Sequence, residues 1–226
     1  MNDITLVIPA KNEEYSLPRV LKELHNKYPI IVIIEKFDFK TLRSIKNFKK
    51  KIIIQKKNGY GSAIISGLKK VKTTYACIFN ADGSFRPSTI KKMLNNHRLD
   101  YDFIFASRYL KKAGSDDDTF LTFIGNKIFT ILTNILFKTN ISDILFTYIS
   151  GKTDKFKKLN LKSYDFRLCV EIPIKIKINN FSYNCIPSFE RKRFGGKKKV
   201  NEFRDGFLIL YYLLKFFFKK NVLKKV

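Results

Sequence analysis

Short apolar runs alternate with longer polar stretches along this chain, and in its first half they keep a regular beat. Residues 4–8, 30–34, 52–55, 75–79 and 102–106 are runs dominated by Ile, Val, Leu, Phe, Ala and Cys. Runs this short and continuous suit strands buried on both faces. Between them, residues 13–26 set Leu17, Val20, Leu21 and Leu24 at helical spacing. Residues 40–48 predict a weaker basic helix, 61–70 a helix opening on a glycine-rich turn, and 87–97 a helix with proline at its start. The rhythm predicts an α/β fold: a mostly parallel, Rossmann-like sheet flanked by helices.

After Ser107 the rhythm breaks. Residues 114–118 read as a polar, acidic loop, and 120–137 as a long amphipathic segment carrying Asn126, Lys127 and Asn134. Residues 164–179 fit a helix, although the alternation of Phe166, Leu168, Val170, Ile172, Ile174 and Ile176 also fits a strand. A strand over 183–188, a basic glycine-containing loop over 190–199 and an apolar helix over 203–226 complete the reading. No repeat or linker divides the chain, so one domain is expected over 1–200, followed by a C-terminal apolar and basic helix within 201–226.

Charge narrows the partners. The 226 residues carry 45 Lys and Arg against 19 Asp and Glu, a net charge of +26. That excess favours polyanions: nucleic acid, an anionic membrane surface or phosphorylated substrates. A Lys-rich, Trp-free composition accounts for part of it, and no nucleic-acid-binding motif is present, so no specific nucleic-acid partner is expected. Cys77, Cys169 and Cys185 are too far apart for a zinc motif and read as buried free thiols in a reducing compartment. His25 and His97 are isolated and read as surface helix residues. No run reaches the roughly 18 uninterrupted apolar residues of a spanning helix. No secretory leader precedes the first strand, which predicts a cytoplasmic location. Residues 206–218 are almost wholly apolar, with Lys215 inside and Lys219, Lys220, Lys224 and Lys225 after them. They read either as an interfacial anchor on the inner face of the cytoplasmic membrane or as a helix docked on the domain. Residues 120–137 offer a second interfacial face.

Two apolar runs end abruptly in polar groups. Leu6-Val7-Ile8-Pro9-Ala10 leads into Lys11-Asn12-Glu13-Glu14, and Cys77-Ile78-Phe79 leads into Asn80-Ala81-Asp82-Gly83-Ser84. Parallel strands deliver ligand-binding groups at their carboxyl ends, so these two edges suggest a nucleotide and metal site. Together with NGYGSAIISGLK at 58–69, ASRY at 106–109, GNKIFTILTNILF at 125–137, SDILFTYISGK at 142–152 and PSFERKRFGGKKKVNEFRDG at 187–206, they form an ordered set. The set resembles the family 2 glycosyltransferases of GT-A fold, in particular the dolichyl- and polyprenyl-phosphate sugar synthases and bacterial cell-surface polysaccharide enzymes.

The resemblance implies inverting, metal-assisted transfer of a hexose-type sugar from a nucleoside-diphosphate sugar. The acceptor it implies is a polyprenyl phosphate or a lipid-linked or cell-surface glycan. Pro9, Ala10, Asn12 and Glu13 would cup the base and ribose, because ribose hydroxyls want carboxylate acceptors. Glu35 stands where the family usually has an aspartate pair, which leaves the nucleotide open. Gly59 and Gly61 would let backbone approach a ligand at a helix N-terminus. Asn80-Ala81-Asp82 occupies the place of the DxD signature, so Asp82, with Asn80 as neutral ligand, would hold Mg²⁺ or Mn²⁺ weakly. Asp143 would act as general base or orient the acceptor. Arg108, Arg191, Arg193 and Lys197 would manage phosphate charge. Glu171, on an apolar stretch, is expected to pair with an Arg or to line the acceptor site. Two alternatives stay open: a catalytically degenerate protein of the same fold, suggested by Asn80, and a basic nucleic-acid-binding protein.

Overall fold

The computed structural model describes residues 3–196 and 198–222, with side chains to Lys219 apart from Lys197. Seven strands form the main sheet in the order β3-β2-β1-β4-β7-β5-β8. They are β1 Ile4–Ala10, β2 Ile30–Ile34, β3 Lys51–Ile54, β4 Tyr75–Ile78, β5 Phe103–Ser107, β7 Ile149–Lys152 and β8 Tyr183–Pro187. Only β7 runs against its neighbours, β4 and β5. A two-stranded ribbon pairs β6 Gly114–Ser115 with β9 Phe189–Glu190. The helices are α1 Leu17–Leu24, α2 Phe39–Ser44, α3 Tyr60–Leu68, α4 Ser88–His97, α5 Phe120–Phe137, α6 Thr153–Lys158, α7 Leu168–Ile178 and α8 Glu202–Val222.

The period of two along each strand divides the core between the faces of the sheet. Ile4, Leu6, Ile8, Ile30, Val32 and Ile34 pack on one face with α1 and α4. Val7, Ile31 and Ile33 point to the other, where α3, α6 and α7 lie. Ile209 and Leu213 of α8 are buried in that second core, so the C-terminal helix docks on the domain over part of its length.

The helix expected within 164–179 forms over 168–178, and the alternation that also fitted a strand arises because nearly every face of α7 is buried. Strand β7 carries one large apolar side chain, Ile149, and Gly151 lies flat against Phe103, so no strand signal precedes it. His97 is 3% exposed rather than on the surface. Its ring bonds the Tyr101 carbonyl and the Ser150 hydroxyl, both at 2.9 Å, and stacks on Tyr75. Burial lowers its pKa from the ordinary value. His25 does cap α1, in left-handed conformation.

Candidate active site

The carboxyl ends of β1 to β5 open into a cavity of about 530 Å³. Pro9, Ala10 and Glu13 line it from β1, Glu35 from β2, Gln55 and Gly59 from β3, Asn80 and Asp82 from β4, and Arg108 from β5. The reason is topological: these strands run in one direction, so their last residues share one edge. The 190–200 segment, α5 and α8 close the far side through Arg193, Lys199, Asn126 and Ile209.

Asp82 enters this cavity with its carboxylate only partly used. Oδ1 accepts from the Ser84 amide at 3.0 Å and the Ser84 hydroxyl at 2.8 Å. Oδ2 has the Arg193 guanidinium at 4.0 Å. Asn80 sits beside it and accepts a 3.3 Å bond from Tyr60, whose hydroxyl also meets Thr147 at 2.6 Å. Ala81 is buried between them and does not line the cavity. No group of three or more His, Cys, Asp or Glu residues converges for a metal among the described residues. One carboxylate and one amide oxygen, both facing space, nevertheless suit a hard cation that takes its other ligands from water and substrate phosphates.

Arg108 is a different kind of charge. It is 8% exposed, and Nε and Nη2 bind the two oxygens of Asp143 at 2.7 and 2.9 Å. Nη1 reaches Asp118 at 3.0 Å and Glu190 at 3.2 Å. Burial works to lower its pKa, but the charge and bonds of Asp143, with Glu190 and Asp118, raise it well above the ordinary value. Glu190 is shifted up by burial, against the opposing pull of Arg108. Asp118 also accepts from Tyr109 at 2.8 Å.

The other expected residues divide. Glu13 is buried, binds Ser16 and Lys199, and faces the cavity. Glu35 faces it in an ion pair with Lys11 at 2.9 Å. Arg193 faces it while its Nε donates to Asp117 at 3.2 Å. Burial pushes Asp117 up, yet the bond from Arg193 outweighs this and holds the carboxyl below its usual range.

Several placements correct the sequence reading. Asp143 is not turned to the cavity: its side chain is wholly buried and both oxygens are taken by Arg108. Arg191 forms a two-pronged pair with Glu23 at 3.0 and 2.9 Å, and donates to the Phe85 carbonyl, away from the cavity. Asn12 donates its backbone N–H to Asp38 and lies outside the cavity lining. Gly61 serves a chain contact rather than a ligand, since an added Cβ would stand 2.2 Å from the Ser163 carbonyl. Gly59, at φ +117°, also lies close to the Tyr164 carbonyl, but it does line the cavity. Glu171 pairs with Lys175 at 2.7 Å, not with an Arg, and caps the Lys162 and Ser163 amides. Lys197 lies outside the described residues.

Sequence reasoning missed Tyr60, Asp117, Asp118 and Glu190. Asp117 and Asp118 sit in the acidic 114–118 loop and Glu190 in the 187–206 motif, but nothing local says that they turn toward Arg108 and Arg193.

Comparisons with known proteins agree with this geometry. The sequence model of Glycosyl transferase family 2 matches residues 5–159. An uncharacterized glycosyltransferase of Mycobacterium tuberculosis is 29% identical over 91 residues, 40% of this chain and 42% of its own. The dolichol-phosphate mannosyltransferase of Pyrococcus furiosus is 22% identical over 186 residues, 77% of this chain and 53% of its own. The chain thus spans about half or less of these curated relatives. Mannosyl-3-phosphoglycerate synthase from Rubrobacter xylanophilus superposes with a TM-score of 0.71 at 14% identity, over 99% of this chain and 75% of that one. Glucosyl-3-phosphoglycerate synthase from Mycobacterium tuberculosis, in complex with Mn²⁺, UDP and glucosyl-3-phosphoglycerate, gives 0.71 at 12% identity over 95% of this chain and 79% of its own. The likeness is one of fold, and it is the mostly parallel α/β arrangement of the GT-A type. With the family match covering well over half its length, this chain belongs to glycosyl transferase family 2.

Proposed function

We propose that the protein transfers a hexose-type sugar from a nucleoside-diphosphate sugar to a phosphate-bearing acceptor, with a polyprenyl phosphate as the favoured class. The observation that carries the reading is the open Asp82 carboxylate, beside Asn80, at the edge where β1 to β4 end. Mg²⁺ or Mn²⁺ held by Asp82 and Asn80 would neutralise charge on the leaving diphosphate. A glucosyltransferase of the same fold is known in complex with Mn²⁺ and UDP, which supports this choice. Glu13 and Glu35, facing the cavity from β1 and β2, are the carboxylates available to the ribose hydroxyls. Arg193 and Lys199, on the segment that crosses the cavity, offset phosphate charge by exchanging Asp117 and Glu13 for the donor.

A phosphate acceptor suits this site because it is already ionised and needs little help from a base. Asp118 and Glu190 are both engaged by Arg108, and Asp117 by Arg193. Asp143 therefore acts through Arg108 as a positioning residue. Attack on the face opposite the diphosphate inverts the anomeric carbon. The cavity lining also includes the apolar Leu145, Phe166, Cys169 and Ile209, which favours an acceptor that is part lipid. The relation to a dolichol-phosphate mannosyltransferase points the same way. The test is transfer of labelled sugar from UDP-, GDP- and dTDP-sugars to a polyprenyl phosphate or to 3-phosphoglycerate. Product on the polyprenyl phosphate supports the reading. Product on phosphoglycerate alone moves the acceptor to a soluble phosphate, and no product from a folded sample supports the degenerate alternative.

A further inference from the structure

Helices α5 and α8 lie side by side and run the same way, since Phe129 at the middle of α5 meets Gly206 near the start of α8, and Phe137 at the end of α5 meets Phe216 and Phe217 further along α8. Each buries one stripe: Asn126, Thr130, Thr133 and Phe137 on α5, and Asp205, Ile209 and Leu213 on α8. The opposite stripe of each is apolar and faces solvent. On α5 it includes Ile128 at 57%, Ile131 at 57% and Ile135 at 70% exposed; on α8, Phe207 at 69%, Leu214 at 40% and Phe218 at 63%. Soluble surfaces seldom leave two adjacent helical stripes of this size uncovered.

Charge indicates what covers them. From Phe120 to Lys138, and again from Gly206 to Val222, the chain has no Asp or Glu, while Lys127, Lys138, Lys215 and Lys219 punctuate the same segments. An apolar stripe bordered by cations and free of carboxylates complements anionic headgroups over acyl chains. A second copy of a chain with net charge +26 is a poorer match, because the two copies repel.

One of the two, α5, has the length and mean hydropathy, 1.5, of a membrane-crossing helix. Its side-chain bonds hold it to the domain instead. Asn126 donates to Tyr109 at 2.9 Å, Thr130 accepts from the Ile144 amide at 3.2 Å, and Asn134 binds the Ile141 carbonyl at 2.9 Å. A helix tied along its length to the loops of a folded domain lies along its surface.

We propose that the paired outer stripes of α5 and α8 form an interfacial surface that seats this protein on an anionic lipid bilayer. Asn126 and Ile209, on the inner stripes of the same two helices, line the cavity, so the helices that meet the lipid on one side wall the cavity on the other. Seating by these stripes does not depend on the acceptor's being a lipid, and flotation reads the seating alone.

The experiment is co-flotation of the full chain with vesicles of phosphatidylcholine, with and without about a third phosphatidylglycerol. Flotation is compared for the parent chain and for Ile128→Glu combined with Ile131→Glu. We expect binding to the anionic vesicles at physiological salt, with a loss of about ten-fold or more in the double variant. Both side chains are exposed, so the variant should keep its melting temperature and its donor hydrolysis. Equal flotation of parent and variant overturns the proposal. So does flotation on neither vesicle, or a parent that is dimeric by sedimentation and becomes monomeric in the variant.

Discussion

Arg108 and Arg193 both reach the cavity from segments that follow strands, and both meet carboxylates there, but they are built for different work. Arg108 is buried and spends its donors on Asp143, Asp118 and Glu190. Arg193 is half-buried, holds Asp117 alone at bonding distance, and stands 4.0 Å from Asp82. A charge with every partner in place fixes geometry. A charge with one partner exchanged for a ligand can answer to substrate. The same contrast separates the carboxylates: Asp143 has no free oxygen, while Asp82 does.

The contrast is testable. The largest effect belongs to Asp82→Ala, which should lower sugar transfer by about 1000-fold with little change in melting temperature. A loss of stability instead would place Asp82 with Asp143 on the structural side.

Next comes Arg108→Met. It leaves three carboxylates without their cation, a loss of about 3–5 kcal/mol for the buried pair with Asp143, read by chemical denaturation. Arg193→Met should cost about 1 kcal/mol or less while weakening donor binding. Similar stability losses in the two variants would erase the distinction.

Smaller still is Gly61→Ala, expected to cost about 1–3 kcal/mol because its Cβ meets the Ser163 carbonyl. If the glycine served the ligand alone, stability would hold and only KM would rise.

The smallest effect is on pH. His97 has a lowered pKa in the fold, chiefly from burial, so between its folded value and the ordinary one near 6.5 the unfolded chain binds the extra proton. Its contribution is complete above about pH 6.5 and is lost as pH falls through that window. Thermal melts from pH 7.5 to 5.5 should show this decline, and His97→Gln should flatten it.

Much of the strand and helix order in the first half was legible because parallel strands buried on both faces write continuous apolar runs, as Ile30–Ile34 does. The bounds of α5 match the amphipathic segment read at 120–137, and the structure adds a capping box at Thr119 that the sequence reading did not use. Strand β7 was hidden because its partners, not its residues, make it a strand. At the site, Asp82 and Asn80 were legible as the polar end of an apolar run. The Arg108 cage was not, because Asp143 and Glu190 come from segments 35 and 82 residues away. Spacing carries no information about such pairings. His97 was misjudged for the same reason: its Ser150 partner lies on the unseen strand.

On the proposed function, Asp82 holds a donor diphosphate through a divalent cation. Calorimetric titration of UDP, GDP and dTDP, with and without Mn²⁺, into the parent chain and Asp82→Asn tests it most directly. One nucleotide should bind the parent only with the cation, and Asp82→Asn should abolish that dependence. Cation-independent binding of equal strength in both proteins, or no binding by folded parent, would contradict it.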